Sequence, residues 1–154
     1  MEKVINILIY LYRKYPNSNQ LSFSRTMKLL YLIEWRFSIT NFEKLTDISW
    51  TQTKYGPYYN NLIQIFEDSS NFELITKIDD SNNQHIVIKF SDLKNELNLN
   101  TNSKIVIDFV IERCQNLSWS ELNNIVNSTY GIINSNQNEI IDIVTLAKKY
   151  KNVL

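Results

Sequence analysis

Histidine and cysteine, the side chains that most often activate a nucleophile or bind zinc, are scarce. His85 is the one histidine and Cys114 the one cysteine, so any Cys–His or Ser–His pair would need His85. His85 falls in a segment that alternates like a strand, on the face opposite Ile86 and Ile88, and it reads as an exposed strand histidine. Cys114 lies in an apolar helical stretch whose nearby cation is Arg113. It reads as a small buried hydrophobe, not as a thiolate of depressed pKa. One Cys and one His cannot complete a four-ligand zinc shell. The acid pairs Glu67–Asp68 and Asp79–Asp80 are adjacent in sequence, and adjacent residues on a helix or strand do not face each other. They read as a polar helix end and a solvated turn. Gly56 and Gly131 stand alone, so no Gly-rich phosphate loop is present. No catalytic residue, metal or cofactor is expected, and the chain is not expected to be an enzyme.

Aromatic residues point to contact chemistry instead. Tyr31, Trp35, Trp50, Tyr55, Tyr58 and Tyr59 crowd one stretch of sequence. Tyr and Trp dominate protein-binding hot spots because they offer rigid area with a polar tip. In the helix that carries the first two, Met27, Leu30, Ile33 and Phe37 make one stripe, and Lys28, Tyr31 and Trp35 lie at i, i+3 and i+7 on a second face. A cation with two aromatics suits an interface, so Lys28, Tyr31, Trp35, Tyr55, Tyr58 and Tyr59 are the expected partner-binding residues. The competing reading buries Tyr31 and Trp35 against the third helix. Gly56 and Pro57 are expected to form a structural joint, with Gly56 in a conformation that a side chain would strain.

Composition bounds the rest. The 154 residues are 44% hydrophobic and 21% charged, enough apolar material for one core and one domain over 1–154. Lys plus Arg and Asp plus Glu number 16 each. That balance argues against holding nucleic acid by phosphate neutralisation. A lone cysteine forbids an intrachain disulfide and suits a reducing cytoplasm. No apolar run is long enough to span a membrane. The amino-terminal MEKVINILIYLYRKYP lacks a basic start and a small-residue cleavage site, so it does not read as a signal peptide. Abundant Asn, Ile, Lys and Tyr with a single Ala, Ala147, suggest an AT-rich bacterial, phage or mobile-element gene.

The pattern of elements is mainly α. Val4, Leu8, Leu11, Tyr12 and Tyr15 share one face of a first helix that Pro16 ends. A second begins near Ser22 or Ser24 and runs to about Phe37. A short strand follows near Ile48 to Thr53. The Tyr55-Gly56-Pro57 turn leads into a third helix, with Pro57 in its first turn and Tyr58, Leu62, Ile65 and Phe66 on one face. Residues 72–78 and 84–90 read as a β-hairpin, and a helical turn is expected at Ser91. Thr101 would cap a fourth helix, apolar enough to be the central one. Ser118-Trp119-Ser120-Glu121 is a capping box for a fifth, and Asp142 caps a last helix. The expected fold is α+β: a compact bundle of about six helices with a short strand and a hairpin.

Two motifs in order carry a resemblance. Lys28-Leu29-Leu30-Tyr31-Leu32-Ile33-Glu34-Trp35 is followed by Trp50 to Thr53 and Tyr55-Gly56-Pro57, then YYNNLIQIF. This stretch, Lys28 to Phe66, resembles the Panacea domain of SocA-like antitoxins. Residues 120–122 and the final helix ending in Lys149-Tyr150 are similar to the family's C-terminal pattern, with Asn127 where members often carry a histidine. The resemblance implies an antitoxin that neutralises a partner toxin by direct protein contact, with no catalysis of its own. A phage or mobile-element inhibitor of a defence nuclease on the same fold is the near alternative. A winged-helix-like DNA-binding regulator is the alternative of another class, though its second helix would offer a groove only Arg25, Lys28 and Arg36.

Overall fold

Local punctuation sets most element boundaries. The computed structural model describes residues 1–154, apart from the side chain of Gln20. Helix α1 spans Glu2–Lys14, and Tyr15 turns to extended backbone as a residue before proline must. A 3₁₀ turn, Ser18–Gln20, leads to Ser22, whose Oγ accepts the Arg25 N–H at 3.0 Å and caps helix α2, Phe23–Asn41. Helix α2 ends four residues beyond the expected Phe37. Phe42 closes it in a left-handed conformation (φ 57°), donating its N–H to Ser38 O.

Helix α2 is the centre of the molecule. Every residue from Thr26 to Trp35 is buried. The helix packs against α4 (Thr101–Cys114), α5 (Trp119–Ser128) and α7 (Ile143–Val153), and against strands of both hairpins. This corrects the expectation that α4 is the central helix. Helix α4 buries Val106, Ile107, Val110, Ile111 and Cys114 but leaves Ile105 in solvent. A helix that is apolar all round is covered all round, and α2 fits that rule where α4 does not.

Strands β1 (Thr51–Thr53) and β2 (Gly56–Tyr58) form a tight antiparallel hairpin in which Thr53 faces Gly56. On its other edge β1 exchanges backbone bonds with residues 138–141: Gln52 N–H to Glu139 O at 2.9 Å and Ile141 N–H to Trp50 O at 2.8 Å. Pro57 and Tyr58 therefore belong to a strand, which corrects their expected place in the third helix. Pro57 fits the strand because Gln52, opposite it, turns its backbone N–H and C=O to Glu139 and Asn138 on the other edge, so no N–H is needed from residue 57. Helix α3, Leu62–Asp68, begins only after Asn61.

The second hairpin falls where its β-branched and aromatic residues put it, β3 at Phe72–Ile78 and β4 at Gln84–Phe90. Asp79 Oδ1 accepts the Ser81 and Asn83 N–H groups, both at 2.9 Å, and so makes the turn. The rings of Tyr12, Phe66, Phe72 and Phe90 stack edge-on or tilted where this hairpin meets α1 and α3. The helical turn expected at Ser91 is absent, and residues 91–100 are irregular. Asp92 takes the Lys94 N–H and an ion pair with Arg13 at 3.0 Å, a local alternative to helix.

Asn100, not Thr101, caps α4, accepting the Ser103 N–H at 2.9 Å. Ser118 and Glu121 make the full capping box of α5, and Asp142 caps α7. A single-turn helix, α6 (Tyr130–Ile133), was not foreseen. The architecture is mainly α, with seven helices and two small strand pairs among the described residues. No helix in it is long and apolar enough to cross a membrane.

Candidate functional site

The expected interface residues separate into two sets. Lys28, Tyr31 and Trp35 are all buried, which corrects their placement on an exposed face of α2. They are not covered by the third helix, as the competing reading had it, but by elements far along the chain. Tyr31 Oη lies 3.0 Å from Thr129 Oγ1, whose own proton goes to Val126 O, so Tyr31 is the donor. The Tyr31 ring meets Trp50 edge-on at 5.6 Å, and Trp35 packs on Tyr150 at 5.9 Å. Both lie flush on Gly131. A Cβ there would come within 2.8 Å of Tyr31 Oη and 3.0 Å of the Trp35 ring.

The second set stays at the surface. Tyr55 is 77% exposed at the tip of the first hairpin, Tyr58 is partly exposed, and Tyr59 is half-buried against Trp50. Between this hairpin and the N-terminus of α5 lies a cleft of about 500 Å³. Its walls are Phe23, Met27, Pro57, Tyr58 and Trp119, and Lys28 forms part of its lining. Trp119, 43% exposed, escaped the sequence reading because it sits inside a capping box. The one available signal was a tryptophan in the first turn of a helix, a position that solvent normally reaches.

Lys28 ties the two sets together. Its Nζ donates to the Tyr55 carbonyl. Its residue is only 5% exposed, and burial pulls its pKa below the ordinary lysine value. Among the described residues it forms no ion pair. Gly56 (φ 108°) presses against this amine, since a Cβ at Gly56 would collide with Lys28 Nζ. The Gly56 carbonyl accepts the Thr53 hydroxyl at 2.8 Å, and Thr53 Oγ1 accepts the Tyr55 N–H at 3.1 Å. Gly56→Val should lower stability by at least ~1–3 kcal/mol through backbone strain alone, with the collision added. Chemical denaturation would measure the loss, and an unchanged midpoint would show that the hairpin tolerates a side chain there.

His85 is exposed on β4 and lines a second, smaller cleft of about 380 Å³ that shares Phe23, Ser24 and Trp119 with the first. Cys114 is buried, and burial pushes its thiol up to about 11, the opposite of an activated thiolate. No group of three or more His, Cys, Asp or Glu side chains is placed to hold a metal among the described residues. The cations of α2 are committed within the fold. Arg25 Nη1 donates to Leu117 O at 3.2 Å, Lys28 is buried, and Arg36 stacks 4.0 Å over the Phe109 ring. Between Thr26 and Trp35 helix α2 exposes no residue.

The scaffold is mainly α and carries an aromatic-rimmed cleft between the first hairpin and helix α5. Residues 26–129 match the family model of the antitoxin SocA-like Panacea domain, and the chain belongs to that family. No curated protein and no solved structure matches the chain. Membership gives it an antitoxin-like role.

Proposed function

We propose that the 154 residues act as one binding unit that neutralises a protein toxin by direct contact, without catalysis. The observation that carries the reading is the cleft bounded by Tyr55, Tyr58 and Trp119. Aromatics that remain in solvent on a folded domain keep large rigid area free for a partner. The family to which the chain belongs supports a toxin as that partner.

Co-expression, in a bacterial host, with a neighbouring gene that arrests growth when expressed alone is the direct test. The wild-type chain should restore growth. Tyr55→Ala with Trp119→Ala should abolish the rescue while shifting unfolding little, because truncation at exposed sites costs about 0.5 kcal/mol or less. Growth arrest that persists beside a well-folded wild-type chain would remove the reading. Cys114→Ala should keep the rescue and lower stability by about 1 kcal/mol, as expected for a small buried hydrophobe. Loss of rescue with an intact fold would instead assign the thiol a function.

A further inference from the structure

The cleft contains a feature that simple apolar docking does not explain. A lysine amine can donate three hydrogen bonds, and Lys28 Nζ makes one, to Tyr55 O. It is nine-tenths buried, yet no carboxylate approaches within ion-pair distance among the described residues, and none lines the cleft. Burying a cation without a counter-charge is unfavourable. Methionine would fill the same volume at no such cost. Gly56 makes room for the amine, because a Cβ there would collide with it, and Lys28 lines the cleft. Asn127, exposed on α5, brings its side-chain Oδ1, a hydrogen-bond acceptor, to the same edge, 3.8 Å from the position of that absent Cβ.

Resting on the proposed protein contact, we infer that the cleft receives an Asp or Glu side chain of the partner protein, flanked by a large apolar residue, with Lys28 as counter-charge. The apolar walls, Phe23, Met27, Pro57, Tyr58 and Trp119, hold the flanking side chain. They also exclude water, which strengthens the ion pair. The carboxylate is assigned to a residue inside a chain and not to a chain terminus, because a second cleft, beside Gln84, His85 and Ile86, shares Phe23, Ser24 and Trp119 with the first and offers a passing segment a second place to rest. A nucleic-acid phosphate fits less well, since a single cation among apolar walls offers little of the neutralisation that backbone binding needs.

Two displayed peptide libraries test the inference on the full chain: one with peptides fused at both ends, the other with free C-termini. The doubly fused library should yield binders bearing Asp or Glu beside an aromatic or aliphatic residue. Replacing that acid by its amide in the peptide, or Lys28→Met in the protein, should each weaken binding about tenfold or more, and the two together no further than either alone. Lys28→Met should melt no lower than wild type. The peptide-side substitution keeps the test valid even if that variant unfolds. The inference is overturned by binders that lack an acid, by binding insensitive to the acid-to-amide change, by enrichment from the free-terminus library alone, or by no binder at either cleft. Toxin rescue that survives Lys28→Met would overturn it while leaving the antitoxin reading intact. Loss of rescue by the wild-type chain would count against that reading instead.

Discussion

Trp35→Ala is expected to lower stability by about 3–5 kcal/mol, the usual loss for a core tryptophan. Against a total of about 5–15 kcal/mol for a domain, that leaves a marginal fold. Trp35 is buried between α2 and the C-terminal helices, packed on Tyr150 and Gly131. Its loss would open the seam where α6 and α7 meet α2. The opposite change at the same seam, Gly131→Ala, places a Cβ 2.8 Å from Tyr31 Oη and should cost about 1–3 kcal/mol through overpacking. Tyr31→Phe removes that oxygen and its bond to Thr129, for about 0.5–1.5 kcal/mol alone. Combined with Gly131→Ala it should cost less than the sum by about 0.5 kcal/mol or more, because the clash is relieved. Urea unfolding of the four proteins would measure the cycle. Strict additivity would mean that Gly131 and Tyr31 do not touch, and a stable Trp35→Ala protein would return Trp35 to the surface.

Elements with chemical punctuation could be read from the sequence, and their assembly could not. Pro16, Ser22, the Ser118–Glu121 box, Asp142 and the Asp79 turn each act within a few residues, so local reasoning reached them. Helical spacing correctly grouped Lys28, Tyr31 and Trp35 on one face. It carried no information on how many faces of α2 are covered, because the covering residues, Gly131 and Tyr150, lie about a hundred positions away. The apolar surplus of α2 had two explanations, an interface or full burial, and burial proved correct. Both glycines are explained by close contact: Gly56 faces Lys28, and Gly131 faces Tyr31 and Trp35. The two motifs that carry the family resemblance thus meet in space where Gly56 lacks a side chain. Trp119, the exposed aromatic missed by the sequence reading, faces the hairpin across a cleft that only tertiary packing creates.

Glu34→Ala is the second large effect expected, a loss of about 2–4 kcal/mol from buried donors left without partners. Glu34 is almost fully buried within α2. Its Oε1 accepts the N–H groups of Leu45 and Thr46 at 2.9 and 3.3 Å, and Oε2 accepts the Thr46 hydroxyl at 2.6 Å. Thr46 Oγ1 in turn accepts the Ile48 N–H at 3.2 Å. One carboxylate therefore folds the loop that carries the chain from α2 to β1 and the hairpin beyond it. Glu34→Gln keeps an acceptor for the two N–H groups and should cost about 1 kcal/mol or less. Burial raises the Glu34 pKa, more than the bonds from Thr46 and Leu45 lower it. A carboxyl whose pKa is raised on folding binds its proton more tightly in the native state. Its stabilising contribution is complete below the ordinary glutamate value of about 4.3 and is lost as pH rises through the raised value. The stability of wild type relative to Glu34→Gln should accordingly decline across that window and level off above it. Denaturant titrations of the two proteins at several pH values would show the trend. A difference that grows with pH would mean that the three hydrogen bonds outweigh burial and hold the group ionised.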